Sequence, residues 1–359
     1  MNKIDVAILG ATGTVGQRFV QLLAGHPWFR VAEVAASDRS AGRPYAEATR
    51  WVLPGSPPPD VAAMTVLPLD AAFRSPIIMS ALPGDVAKTL EPELAARGHA
   101  VSSNTSAHRM APDVPLLLPE INADHIGLID VQRRSRGWTA GALVTMSNCT
   151  TVPVVVALAP LRQYGIAAVS VVSMQAISGS GYPGVASFDI FDNVLPYIGG
   201  EEEKVETEPR KIMGAFNGEG IDWLPMRVSA ACNRVPVLDG HLVIVSVRLE
   251  RKPEQAEILA AWASYAGHPL IADLPSAPRP VIRYHDGLDR PQPRLDRDNG
   301  AGMTTTIGRL RPCPLLDYKF AALSHNTIRG AAGGAILNAE LLVAQGYVQG
   351  VRAPVKAVV

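Results

Sequence analysis

The sequence predicts an α/β protein in two domains: a doubly wound parallel sheet, then an α+β unit whose sheet is largely antiparallel. Three observations predict it. Apolar runs of strand length alternate with helical periodicity up to residue 149, glycines close the first of those strands, and after Cys149 the strands lengthen and alternate polar with apolar side chains. A chain of 359 residues also has room for two cores of ordinary size.

In order, "KIDVAILG" (3–10) is predicted as a buried strand, being short, apolar, β-branched and closed by glycine. "GATGTVGQRFVQLLAGH" then places Val15, Phe19, Leu22 and Leu23 at helical spacing. "WFRVAEVAAS" (28–37) is a second strand, which completes a βαβ unit and calls for a parallel sheet. "PIIMSALPGDVAKTLEPELAARGHAVSSN" (76–104) repeats strand, turn, helix and short strand. Beyond Cys149, "IAAVSVVSMQAIS" (166–178) and "HLVIVSVRLERK" (241–252) alternate as strands do when one sheet face is covered. Between them lie a glycine-rich loop (179–184) and the charged stretch "EEEKVETEPRKIMG" (201–214). The Pro/Arg/Asp-rich passage 273–300 is expected as a long ordered loop. "SHNTIRGAAGGAILNAELLVAQGY" (324–347) is expected as a helix whose small face packs near a nucleotide or back on the first domain. The expected domains are therefore 1–149 with 325–359, and 150–324.

Composition narrows the function classes. Apolar residues make up 47% and charged residues 18%, an ordinary globular profile. Lys+Arg and Asp+Glu balance at 33 each, so no global field favours nucleic acid or an acidic membrane; "QRRSRG" (132–137) is a solvated loop on this view. Cys149, Cys232 and Cys313 are odd in number and far apart, with no C-x-x-C or Cys/His zinc spacing. Reduced thiols and no metal are expected. The start "MNKIDVAILGATG" is unlike a signal peptide, and the longest apolar run, Val152–Leu161, is too short for a bilayer and holds two prolines. A cytoplasmic protein is expected.

Gly10, Gly13 and Gly16 form G-x-x-G-x-x-G between the first strand and its helix. Glycines there let the backbone turn tightly and approach a pyrophosphate, whose charge the helix N-terminus stabilises. That makes the first domain a Rossmann-like nucleotide-binding unit in expectation. The second strand ends in "SDRS", where Arg39 can stack on adenine and pair with a 2′-phosphate while Ser37 and Ser40 donate hydroxyls. Donors and positive charge at this point favour NADP over NAD.

One cysteine stands out. In "TMSNCTTVPVVVAL" (145–158) Cys149 follows Ser147 and Asn148 at the head of an apolar run. If that run is helical, its N-terminus lowers the thiol pKa and offers N–H groups to an oxyanion. The β-branched valines leave helix and strand both open, and a buried inert cysteine is an equal reading of this stretch alone.

"SNCTT", "SMQAISGSGYPGV" (173–185), "EPRK" (208–211) and "CNRVPVLDGHL" (232–242) resemble the aspartate-semialdehyde dehydrogenases. The likeness is to their archaeal and fungal branch, with "GATGTVG", "SSNTSAHRM", "RPQPRLDRDNGAGM" and "HNTIRGAAG" in family order, so it covers essentially the whole chain. The resemblance implies NADPH-dependent, reversible reduction of L-aspartyl 4-phosphate to aspartate semialdehyde and phosphate, in biosynthesis of the aspartate-family amino acids. It implies that Cys149 is the nucleophile, His241 the acid/base group and Gln175 the residue that orients substrate beside the thiol. Arg234 would fork onto the α-carboxylate and Glu208 would receive the α-ammonium. Lys211 would contact phosphate with Arg109 and Asn148. A second E-x-x-K, "EEEK" (201–204), competes with the 208/211 pair; "ETEPRKIMG" matches the family helix more closely and sets the choice. The cofactor would lie on Gly10, Thr12, Gly13, Thr14 and Val15, on Ser37, Arg39 and Ser40, on Ser80, and on Gly181 and Asn326. The second domain would be catalytic and would assemble a homodimer or homotetramer.

Two rivals share the architecture. Malonyl-coenzyme A reductases expel coenzyme A instead of phosphate, and N-acetyl-glutamyl-phosphate reductase takes an acylated amine that leaves Glu208 without a cationic partner. A catalytically dead NADP-binding regulator is the rival of another class.

Overall fold

The computed structural model describes residues 3–351 and 353. The remainder of the expected C-terminal return to the first domain, Arg352 and 354–359, lies outside the described residues. Six strands build the first sheet: β1 (Ile4–Leu9), β2 (Phe29–Ala35), β3 (Ile77–Ser80), β4 (Ala100–Ser103), β5 (Leu116–Leu117) and β6 (Ala142–Met146). They run in the order β2-β1-β3-β4-β6-β5, and every neighbouring pair is parallel. The order reverses at β1, so a crevice opens beyond the C-terminal ends of β1 and β3, where such sheets bind ligands. Gly10 turns the chain there at φ +71°, and any Cβ on it would run into the Ala81 carbonyl after β3.

Both faces of this sheet are covered, which is why its strands are buried almost throughout. Helix Gly84–Ala96 packs on one face; helices Thr14–Leu23 and Gly333–Ala344 meet on the other. The small residues that open the last helix have a steric purpose, since a Cβ at Gly334 would press within 2.6 Å of the Met146 side chain. This helix begins later than its sequence pattern suggests. Residues Ile328–Ala332 form a π-turn ahead of it, pinned by a fully buried Arg329–Glu120 ion pair.

The second sheet holds β7 (Ile166–Gln175), then, past a small hairpin of β8 (Ala215–Phe216) and β9 (Ile221–Asp222), β10 (Arg227–Arg234), β11 (His241–Leu249), β12 (Ile282–His285), β13 (Thr305–Pro312) and β14 (Tyr318–Ser324). Its order is β10-β7-β11-β14-β13-β12. Three junctions are antiparallel, while β10/β7 and β12/β13 are parallel, so the sheet is mixed. The parallel pairs arise because long crossovers, one carrying the helix Glu201–Ile212, return the chain to the end from which it left. The passage 273–300 is less irregular than its composition suggests, for it contributes edge strand β12 and the short helix Pro293–Asp296.

Helix Thr151–Leu158 settles the ambiguity after Cys149. All eight of its residues are buried, because it lies against β11, β13 and β14 and against the helix Glu201–Ile212. Burial on every side overrides the strand preference of its valines. No helix among the described residues is long and apolar enough to cross a membrane.

Candidate active site

The two sheets bring their strand ends together. From the first come the segments after β4 and β6, carrying Asn104 to Arg109 and Asn148 to Cys149. In the second, β7 and β10 are parallel and in register, so Gln175 and Arg234 end side by side. Antiparallel β11 starts at that same end with His241, opposite Ser324 of β14. Cys149 is placed by its neighbours: the Asn148 side-chain oxygen accepts from the N–H groups of Thr150 (2.8 Å) and Thr151 (3.2 Å) and so starts the helix. Cys149 Sγ then lies 3.2 Å from His241 Nε2.

The electrostatics differ from the sequence expectation. Burial, reinforced by the Glu201 carboxylate, pushes the Cys149 thiol up to about 12, against the pull of Arg109 and Arg234. A helix N-terminus was expected to acidify it, but desolvation disfavours the thiolate more strongly here. His241 is pushed down to about 3 by burial and by Arg234. Both groups are therefore neutral at rest. The imidazole Nδ1 accepts from the Ala176 N–H at 3.0 Å.

The helix Glu201–Ile212 requires a correction. Positions 201, 204, 208 and 211 share one face, so both E-x-x-K pairs point the same way, about 10 Å apart along the axis. The pair that lines the cleft with Cys149 is Glu201 and Lys204. Glu208 lies behind it, 1% exposed, accepting from Arg109 Nη1 (3.0 Å) and from the Asn148 backbone N–H (2.6 Å). Lys211 is equally buried and donates to the carbonyls of Arg109, Ala111 and Val114 at 2.7–2.9 Å. Neither is free for substrate, contrary to the sequence assignment of ammonium to Glu208 and phosphate to Lys211. Both instead brace the turn that carries Arg109. Asn148 is committed as well, for its amide nitrogen donates to both oxygens of Glu201 at 2.9–3.0 Å.

Glu201 also accepts from Lys204 Nζ at 2.9 Å and Gln175 Nε2 at 3.4 Å. Burial raises its carboxyl, but Lys204 and the Asn148 amide outweigh burial and hold it below the ordinary carboxylate range. Gln175 thus reaches the cleft through Glu201. Arg234 lies 5% exposed beneath the glycine-rich loop, with Nη1 donating to the Ala176 carbonyl at 2.8 Å. Arg109 borders the cleft directly.

The residues present fit a dinucleotide. A Cβ at Gly16 would overlap the Gly10 carbonyl, so only glycine lets the helix Thr14–Leu23 start this close to the strand. Its first N–H groups, lacking helical partners, face a cleft of about 330 Å³ bordered by Thr14, Val15, Gly181, Asn326 and Cys149. Thr12 and exposed Gly13 complete the turn, and Ser37, Arg39 and Ser40 form an open turn just past β2. One expected contact, Ser80, is placed differently, and Asn326 has a second role besides bordering the cleft. The Ser80 side chain is fully buried beside Glu91, so Leu82 and Gly84 reach the cleft instead. Asn326 is a clamp: its oxygen accepts from the Gly240 N–H and its nitrogen donates to Ser178, both at 2.8 Å, which ties the loop to the start of β11.

Sequence reasoning passed over Glu201 and Lys204 although their spacing was visible. It also missed Gly330, where a Cβ would come within 2.8 Å of Cys149 Cβ. The small-residue run around Gly330 was the available signal.

Comparison with known proteins agrees with this arrangement. Residues 5–129 match the family described as semialdehyde dehydrogenase, NAD binding domain, and residues 158–329 the semialdehyde dehydrogenase dimerisation domain. The aspartate-semialdehyde dehydrogenase of Archaeoglobus fulgidus is 49% identical over 342 residues, covering 95% of this chain and 98% of the relative. That of Schizosaccharomyces pombe is 46% identical, with 95% and 98% covered. The crystal structure of aspartate semialdehyde dehydrogenase with NADP from Candida albicans superposes with a TM-score of 0.88 at 39% identity, over 97% of this chain and all of that one. A likeness this extensive, joined to a paired thiol and imidazole at the meeting of the two sheets, means that the chain belongs to the aspartate-semialdehyde dehydrogenase family.

Proposed function

We propose that this enzyme reduces L-aspartyl 4-phosphate with NADPH to L-aspartate 4-semialdehyde and phosphate, reversibly, through a thioester on Cys149. The product would serve biosynthesis of lysine, threonine and methionine. The carrying observation is the 3.2 Å contact between Cys149 Sγ and His241 Nε2, at a cleft bordered by Arg109 and Lys204. In this reading Cys149 Sγ attacks the acyl carbon, and phosphate departs toward Arg109 and Lys204, whose charges stabilise it as it leaves. Arg234 holds the α-carboxylate, and Glu201, aligned by Gln175 and Asn148, receives the α-ammonium. NADPH bound along the glycine turn would supply the hydride that carries the thioester to the aldehyde level. Residues 1–149 with the chain after 324 form the nucleotide-binding domain, and 150–324 form the catalytic domain, through which a homodimer or homotetramer assembles. The dimerisation-domain match supports that assembly.

Phosphate-dependent reduction of NADP by aspartate semialdehyde tests the reading. Lys204→Ala is expected to raise KM for phosphate about 10- to 100-fold while leaving NADP binding intact, as loss of one charge-assisted contact implies. Lys211→Ala is expected to lower Tm instead, because it strands the buried carbonyls of Arg109 and Val114 and the half-buried one of Ala111. Efficient turnover of malonyl-coenzyme A with none of aspartyl phosphate would overturn the substrate.

NADP is expected to bind at least about tenfold more tightly than NAD through Arg39, as in a charge-assisted phosphate contact. Arg39→Leu should erase most of that difference with little change for NAD. The NADP in the Candida albicans relative supports this choice. Equal affinities in the unaltered enzyme, measured by fluorescence titration, would refute it.

A further inference from the structure

We propose that a second cavity, adjoining the catalytic cleft at Thr14 and Gly181, binds a small zwitterion with a hydrocarbon side chain, of the free α-amino acid class. The proposal concerns a separate site and does not depend on the substrate assigned to the cleft.

The cavity, of about 640 Å³, lies between the helix Thr14–Leu23 and the second-domain loops at 181–184, 238–239 and 297–298. It shares one wall with the cleft, made by Thr14, Ser178, Gly181 and Thr327. Cys149, Arg109, Glu201 and Lys204 border the cleft and not this cavity. Val52, Leu53, Ile177, Tyr182, Leu238 and Ile328 give it apolar sides, as small-molecule pockets have.

Five ionisable side chains line it: Arg18, Arg297, Asp239, Asp298 and His325. They are gathered without being closely paired. Asp298 reaches Arg297 and His325 only at 3.8 Å. Among the described residues Arg18 and Asp239 enter no ion pair, and Arg18 feels both carboxylates only through space. Arg18 is 8% exposed; its Nη1 donates to Gln21 at 2.7 Å, and its Nε has no hydrogen-bond partner. Burial lowers its pKa against the pull of Asp239 and Asp298, as befits a cation short of a counter-ion. Burial also pushes His325 down to about 4, so that ring adds no charge at neutral pH.

Two cations and two carboxylates around one cavity disfavour a ligand of single sign. An anion drawn to Arg18 and Arg297 would face Asp239 and Asp298, and a cation would meet the converse. A zwitterion satisfies both. Its carboxylate takes the Arg18 guanidinium and its ammonium takes Asp239, while its hydrocarbon lies on the apolar sides. A buried, uncompensated guanidinium is costly, and such an occupant removes the cost. At the shared wall Thr14 Oγ1 accepts from the Tyr182 N–H at 3.2 Å, so an occupant also braces the glycine-rich loop against the cofactor turn.

The experiment is isothermal titration of the NADP-loaded enzyme with L-leucine. Binding with a Kd below about 1 mM is expected, and no binding up to about 10 mM would overturn the proposal. L-Leucinamide lacks the carboxylate and 4-methylpentanoate lacks the ammonium. Each should bind about 10- to 100-fold more weakly, as loss of one charge-assisted contact implies; equal binding of either would refute the zwitterion. Arg18→Met should weaken leucine by the same factor and keep turnover of aspartate semialdehyde. Should that variant fail to fold, Asp239→Asn, at a half-buried loop position, is expected to show the same loss. The catalytic cleft takes an α-amino acid too in the reading above, so Arg234→Ala completes the set. Leucine binding that survives Arg234→Ala supports the second site. Binding lost in Arg234→Ala and kept in Arg18→Met would place leucine in the catalytic cleft and overturn the proposal.

Discussion

Cys149→Ala is expected to abolish acyl-phosphate reduction, by at least about 10⁴-fold, while NADP binds as before. The separation follows from the architecture. The thiol sits beyond β6, whereas the cofactor turn sits beyond β1, and alanine alters only the first. Steady-state kinetics and cofactor titration on the same preparation check both halves. Alkylation adds a pH-dependent test whose sign follows from burial. Because the Cys149 pKa is raised to about 12, its thiol stays protonated through neutral pH, and its labelling in the free enzyme should be slow and rise steadily toward alkaline pH. Cys313 behaves in the opposite sense: burial raises its thiol, but N–H groups of Leu316 and Leu315 outweigh this and hold it below the ordinary value. It should label first, with activity unchanged. Activity lost in step with label on Cys313 or Cys232 would identify a different nucleophile.

Gly330→Ala is the second large effect. A methyl group there would stand 2.8 Å from Cys149 Cβ and 3.1 Å from its Cα, closer than packed carbons tolerate. Neither side yields easily, because Arg329 is locked to Glu120 and Cys149 is followed by a fully buried helix. The thiol turn must therefore shift relative to His241. Displacement of a reacting atom by about 1 Å costs on the order of 100-fold, and a loss of at least that size in kcat/KM is expected. Circular dichroism should report an intact fold, with Tm lowered by the overpacking. Wild-type activity in Gly330→Ala would show that this contact does not position the nucleophile.

The particular residues that were legible in the sequence share a property: their meaning is local. The positive φ of Gly10 and the approach of Gly16 to the Gly10 carbonyl belong to a strand-to-helix turn a few residues long, and the alternation in 241–249 is a property of one strand. Cys149 and His241 were found through motifs that surround each of them. The Glu201/Lys204 and Glu208/Lys211 pairs were different. They are seven residues apart, two turns of one helix, so periodicity and spacing place them on the same face and cannot rank them. What ranks them is the first domain, whose carbonyls at Arg109, Ala111 and Val114 surround Lys211 and whose Asn148 reaches up to Glu201.

By itself the sequence determined that this chain would build a nucleotide-binding parallel sheet, a second sheet and a cysteine–histidine site of a known family, because each rests on contiguous patterns of side chains. Only the tertiary structure decided how deeply that site is desolvated and which lysine meets the cleft. Those depend on burial by both domains and on carbonyls about 100 residues away along the chain from Lys211, and neither has a local signature in the sequence.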